Sequence, residues 1–192
     1  MIVFWYLQPL SIFLYLTLVV AKPHFLSKTF QCWVCLILVV IPGCTALTYL
    51  FHIDYVHIIA LILLVQFNDG FSYLAGKKLG KTRFKFISAI SPGKTIEGYF
   101  GGVLGILFVI LLLNTVIPVY PAEKMLLRSI LLFVIVFVFA NIGDLAFSSL
   151  KRKYNVKNFS NLLAGHGGVL DRFDSLLFMA PLYLYLIVGG MV

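Results

Sequence analysis

The 192-residue sequence is short of charge, and above all of acid: 11% of its residues are Asp, Glu, Lys or Arg, and only seven are acidic. With 61% hydrophobic residues beside so little charge it cannot cover a water-facing surface, which excludes a soluble globular domain. Cysteine is equally scarce. Cys32, Cys35 and Cys44 lie in or beside one apolar stretch, so neither a disulfide framework nor a thiolate metal site is suggested. The C-x-x-C spacing of Cys32 and Cys35 reads as buried packing. Internal repeats, low-complexity tracts and linkers are missing too, and residues 1–192 read as a single membrane domain.

What the chain does have is long apolar runs, with a mean hydropathy of +1.04. A helix needs about 20 mostly apolar residues to cross the hydrocarbon core. Six stretches meet or approach that length: residues 2–21, 30–51, 53–67, 99–119, 125–142 and 175–192. The first lacks the basic start of a signal peptide and reads as a retained helix. Pro42 and Gly43 predict a kink or an early end in the second. The tight link at His52 and Ile53 predicts a hairpin with the short third. The fold class is therefore all-α, a polytopic integral membrane protein of about six helices.

Fifteen Lys and Arg against seven acids leave a net charge of +8, and thirteen of the fifteen fall on alternate connections. That alternation predicts both ends outside and two long cytoplasmic segments, 68–98 and 143–174, where function should reside. The basic excess marks these segments and does not suggest a nucleic-acid partner.

Five of the seven carboxylates, Asp69, Glu97, Asp144, Asp171 and Asp174, fall at span ends on that side. Asp54 and Glu123 fall in short outer turns and read as solvated charges; His52 and His57 around Asp54 lack a third ligand. Asp171 and Asp174 stand three apart, so on a helix they share a face and can offer oxygens to one hard cation such as Mg²⁺. Asp144 would join them if the fifth and sixth helices pack side by side. A solvated helix start, favoured by the dipole, is the plainer reading of the pair. Lys151, Arg152, Lys157, His166 and Arg172 lie among these carboxylates, with Gly165, Gly167 and Gly168 opening the backbone near His166. Carboxylates for a cation and basic groups for anionic oxygens are what transfer at phosphorus requires.

Ser91-Pro92-Gly93-Lys94-Thr95-x-Glu97-Gly98 adds hydroxyls and a lysine at a helix start, without the spacing of a Walker loop. Gly98, Gly101, Gly102 and Gly105 have small-x-x-x-small spacing and predict close approach of a neighbouring helix.

Two blocks of these residues resemble a known family. Ser148-x-Leu150-Lys151-Arg152-x-x-x-x-Lys157-Asn158, followed by Leu163-x-Gly165-His166-Gly167-Gly168-x-x-Asp171-Arg172-x-Asp174, resembles the signature of the phosphatidate cytidylyltransferases, or CDP-diacylglycerol synthases. Asp69-x-x-x-Tyr73-x-x-Gly76-Lys77-x-x-Gly80-Lys81 and the serine-proline segment are similar to the block that precedes it, so the resemblance covers residues 65–177. It implies a membrane enzyme of phospholipid biosynthesis that joins CTP to phosphatidic acid and releases pyrophosphate. It also implies Mg²⁺, with a second cation left open, and a bacterial inner-membrane protein whose active site faces the cytoplasm. A homodimer is left open. Carried over by residue, the resemblance implies metal binding at Asp144, Asp171 and Asp174, and catalytic charges at Lys151, Arg152, His166 and Arg172. Substrate contacts are implied at Asp69, Ser91, Lys94, Thr95, Lys157, Gly167 and Gly168.

The chain departs from that pattern. Phe147 stands in place of a glutamate, Asn158 of an aspartate and Ala164 of a proline, and Gly70-Phe71 follow Asp69 where Thr/Ser-Gly is usual. It is also short for the family, as if without several N-terminal helices, which implies a smaller vestibule and another lipid phosphate as acceptor. The two lost carboxylates keep a non-catalytic homologue, a partner or scaffold, as the alternative. A CDP-alcohol phosphatidyltransferase lacks support because its D-G-x-x-A-R spacing is missing. A transporter would be expected to carry charges in mid-span.

Overall fold

The computed structural model describes residues 2–20, 28–83, 85–116, 125–160 and 168–190, and all regular structure among them is helical. The chain begins with α1 (Ile2–Tyr15), which runs on through a π-helical turn at Leu16–Val20. Then α2 (Lys28–Cys35), a second π-helical turn at Leu36–Val40 and α3 (Ile41–Ile53) form one rod. Of the two outcomes expected at Pro42, the early end is not seen, since the rod continues through it. Proline has no N–H to donate and crowds the preceding turn, and the helix answers by widening before it: the Ile41 N–H reaches the Leu36 carbonyl five residues back.

The hairpin predicted at residues 52–53 is present and turns on Asp54. Its backbone is extended, and its carboxylate accepts a hydrogen bond of 2.9 Å from the Val56 N–H, capping α4 (Tyr55–Leu79). After α4 come α5 (Lys85–Ile90), α6 (Ile96–Val116), α7 (Met125–Lys153) and α8 (Leu170–Val188). Two helices outrun their predicted spans: α4 continues 12 residues past Phe67, and α7 continues 11 residues past Ile142. The expected loops 68–98 and 143–174 therefore begin as helix, and Asp69 and Asp144 are helical residues. Hydropathy marks where a helix would leave lipid; the backbone ladder needs only continuing hydrogen bonds.

Four helices among the described residues are long and apolar enough to cross a bilayer: Phe30–Ile53, Tyr55–Leu79, Ile96–Thr115 and Leu126–Lys153. These make the chain an integral membrane protein. Gln8–Leu18 is apolar but shorter. In α8, Asp171, Arg172 and Asp174 occupy the first turns, and the rest of the helix is buried almost all round from Ser175 to Leu184. It packs against α1, α3 and α7 and supplies the largest part of the core through Phe178, Met179 and Tyr183.

The most extensive helix pairing is α4 with α6. It uses the glycines that the sequence singled out. A Cβ at Gly105 would stand 2.5 Å from the Phe67 carbonyl oxygen, and one at Gly101 2.5 Å from that of Phe71, so the two backbones meet with no room for side chains. Cys32 is exposed, not buried as expected, and its thiol lies 2.9 Å from the Tyr154 hydroxyl; Cys35 is buried.

Candidate active site

The C-terminal parts of α4 and α7 meet the N-terminal ends of α6 and α8 around one cavity of about 650 Å³. Asp69, Ser91, Lys94, Thr95, Asp144, Asp171, Arg172 and Asp174 all line it. Eight of the sequence-predicted site residues are thus brought together from positions spread over more than a hundred residues of chain.

Each is placed by local structure. The segment between α5 and α6 turns at Pro92–Gly93, where the Lys94 N–H bonds to the Ser91 carbonyl at 3.2 Å. Thr95 is buried and caps α6 by accepting the Gly98 N–H at 3.1 Å. Its hydroxyl thus has a structural duty beside any contact with substrate. Glu97 accepts the Thr82 N–H at 3.1 Å and ties the end of α4 to the start of α6. Lys94 then reaches across the cavity to α7, its Nζ 2.7 Å from Asp144 Oδ2 and 5.6 Å from the centre of the Tyr99 ring. The Asp144 side chain keeps a third of its surface accessible.

The α7–α8 side is built differently. Lys151 is buried, with Nζ 3.0 Å from Asp171 Oδ1 and 3.5 Å from Asp174 Oδ2. It stands 5.3 Å above the Phe159 ring, which meets the buried Phe147 edge to face. Asp171 Oδ2 accepts the N–H groups of Phe159 and Gly168, both at 2.9 Å. Burial alone would raise the Asp171 pKa; the Gly168 N–H, the Lys151 ammonium and the Phe159 N–H overcome it and hold the carboxyl below its usual range. Asp174, in the turn before the apolar run of α8, goes the other way. Burial, then the nearby Asp144 carboxylate, push it up to about 6 against the opposing pull of Lys151.

Lys151 sits behind the cavity wall. Arg152 turns away and donates to the carbonyls of Ile90 at 3.2 Å and Val156 at 3.5 Å, and Lys157 is exposed to solvent. His166 and Gly167 lie outside the described residues. Gly168 contributes its N–H to Asp171.

The carboxylates suit a hard divalent cation by their chemistry, since they offer only oxygen donors and crowd one another electrostatically. Among the described residues, however, no three Asp, Glu, His or Cys side chains form a ready metal group. In this arrangement Lys94 and Lys151 are the counter-charges. All three carboxylates have both oxygens engaged, Asp171 by Lys151 and two N–H groups, Asp174 by Lys151 and the Ser175 N–H, and Asp144 by Lys94 and the Ser148 hydroxyl, so a cation would take the place of a lysine; Asp144 is the most accessible of the three.

Other cavity residues escaped sequence reasoning. Ser72, Tyr99 and Asn141 are neutral residues inside helical segments, Arg83 counted only as a topology charge, and Lys77 entered the family-like block without a role at the site. Helical spacing could have found Ser72, Tyr73 and Lys77, which lie one or two turns beyond Asp69.

Fold and cavity together define a helical membrane protein with a mixed-charge site at the ends of its helices, suited to anionic phosphate oxygens and a cation. The model of the Cytidylyltransferase family matches residues 1–188, and the chain belongs to that family. It is 40% identical over 141 residues to a phosphatidate cytidylyltransferase of Bacillus subtilis (strain 168), covering 73% of this chain and 48% of that protein. It is 39% identical over 135 residues to a phosphatidate cytidylyltransferase of Aquifex aeolicus (strain VF5), covering 70% and 48%. It is also 39% identical over 130 residues to the uncharacterized protein YnbB of Escherichia coli (strain K12), covering 68% and 42%. The chain spans about half the length of the curated relatives it matches.

Proposed function

We propose that this protein is a CTP-dependent cytidylyltransferase that converts phosphatidic acid, or a related lipid phosphate, to the CDP-lipid. The observation that carries the reading is the cavity itself, where Asp69, Asp144, Asp171 and Asp174 face Ser91, Lys94, Thr95 and Arg172 inside a helical membrane protein of this family. An oxygen of the lipid phosphate attacks the α-phosphorus of CTP and forms the new P–O bond. The bond from the α-phosphorus to the oxygen bridging to the β-phosphorus breaks, and its electron pair leaves with pyrophosphate. No protein nucleophile is required.

Lys94 and Arg172 meet the negative charge that grows on the phosphoryl oxygens, and Lys151 backs them from behind Asp171 and Asp174. Mg²⁺, held by Asp144, Asp171 and Asp174 in place of their lysine partners, would neutralise charge on the triphosphate. His166, Gly167 and Lys157 belong to the segment between α7 and α8 and are proposed to complete the phosphate contacts. We place six spans in a bacterial inner membrane, with the cavity on the cytoplasmic side; the alternating basic connections and the bacterial relatives support this.

The buried Phe147 packed on Phe159 favours one second reading, a non-catalytic homologue that keeps the fold. Pyrophosphate release by purified protein in detergent, with Mg²⁺, CTP and a panel of lipid phosphates, separates the two. CTP- and lipid-dependent release is expected. A folded protein silent with every acceptor would select the non-catalytic reading.

A further inference from the structure

Four carboxylates in one cavity repel a polyphosphate, so the cations around them decide where it can lie. Lys94 and Lys151 are already held by Asp144 and by Asp171 with Asp174. Lys77 and Arg83 line the same cavity, are exposed at its edge, and form no ion pair with any described carboxylate. The placement of Lys77 is specific. Asp69, Tyr73 and Lys77 follow at four-residue intervals on α4 and share a face, so Lys77 lies two turns beyond Asp69, about 12 Å along the axis. Its ammonium stands 5.7 Å over the Tyr73 ring, which also borders the cavity. Arg83 follows on the strap that Glu97 ties to α6 through Thr82. The result is an acidic interior and a basic rim at the open side.

We infer that Lys77 and Arg83 bind the outer phosphates of the nucleoside triphosphate, the part that departs as pyrophosphate. This rests on the cytidylyl-transfer reading and deepens it. The polyphosphate end of the substrate carries most of its charge and must leave to water. The rim offers it cations that are not neutralised by carboxylates, at the position nearest solvent, while the α-phosphorus lies inward toward Asp144 and Asp174. The sequence marked Arg83 only as a charge of the cytoplasmic side, and Lys77 as that and as one position of the block similar to the family's, with no role given to either. Lys78 and Lys81 belong to the same stretch and are also exposed, but neither lines the cavity, so they serve as internal controls.

The test compares the full chain with Lys77→Gln, Arg83→Gln and their combination, beside the control Lys78→Gln/Lys81→Gln. Steady-state kinetics give KM for CTP, KM for the lipid and inhibition by pyrophosphate. Calorimetry without lipid gives the affinities for CTP and CMP. For the double rim variant, KM for CTP and the inhibition constant for pyrophosphate should each rise by about tenfold or more, the scale of one lost charge-assisted contact. Lipid KM should stay unchanged, and the advantage of CTP over CMP in binding should shrink.

Equal effects in the control pair would overturn the inference by reducing the rim to diffuse surface charge. A rise in lipid KM instead of CTP KM would overturn it in favour of a lipid headgroup site. Wild-type protein that binds no CTP would overturn the cytidylyl-transfer reading itself, whereas normal turnover with unaltered rim variants would overturn only this inference.

Discussion

The two halves of the cavity are built on opposite principles. On the α4–α6 side, helices touch backbone to backbone along glycines, and the polar groups are less enclosed: Lys77 and Arg83 are exposed, and Ser91 and Lys94 are half-buried. On the α7–α8 side, bulky side chains fill the space, and the charges are buried in a closed set in which Lys151 answers two aspartates. The first half can exchange its partners for an incoming anion at little cost. The second half cannot lose a member cheaply, because a buried charge without its counter-charge carries a large desolvation penalty. Under the proposed function, substrate reception falls to the less enclosed side, and fixed electrostatics to the closed one.

The lysines of the two halves give the sharpest contrast. Lys151→Met leaves Asp171 and Asp174 buried without their cation and should cost about 3–5 kcal/mol of stability. Lys94→Met, at the more accessible of the two sites, should cost less than Lys151→Met. Denaturant unfolding in detergent measures both, and equal losses would break the distinction. An intermediate effect is expected at the seam: Gly105→Val drives a side chain toward the Phe67 carbonyl and should cost about 1–3 kcal/mol. Because α4 and α6 carry the open half, this variant should also weaken CTP binding, which calorimetry reads directly. A destabilised Gly105→Val that binds CTP normally would separate the seam from the site.

How far the sequence revealed this arrangement followed the same division. Carboxylates are conspicuous in a chain this apolar, so Asp69, Asp144, Asp171 and Asp174 could be named from sequence, and the three-residue spacing of Asp171 and Asp174 put them on one helical face, where a hard cation was expected and Lys151 is the partner found. The glycine seam was equally legible, since small residues every four positions have one principal structural use in a membrane helix. Helix ends were not. Asn68 to Leu79 and Gly143 to Lys153 are too polar for lipid and therefore read as loops, yet nothing in them breaks a helix. Ser72, Tyr99 and Asn141 were hidden because a neutral residue on a helix carries no sign of which side faces a cavity. The pairing of Lys151 with both aspartates also needed the structure, because it joins residues 20 and 23 positions apart across two helices.

The central claim, that this cavity transfers a cytidylyl group, is tested most directly by following the α-phosphorus of labelled CTP into extractable lipid, with wild type, Asp144→Asn and Asp174→Asn side by side. The label should pass into the lipid fraction with the wild type, and its transfer should fall by about 100- to 1,000-fold in each variant while the protein stays folded. Label that remains in the nucleotide with every lipid phosphate offered, or that transfers equally well in both variants, would contradict it.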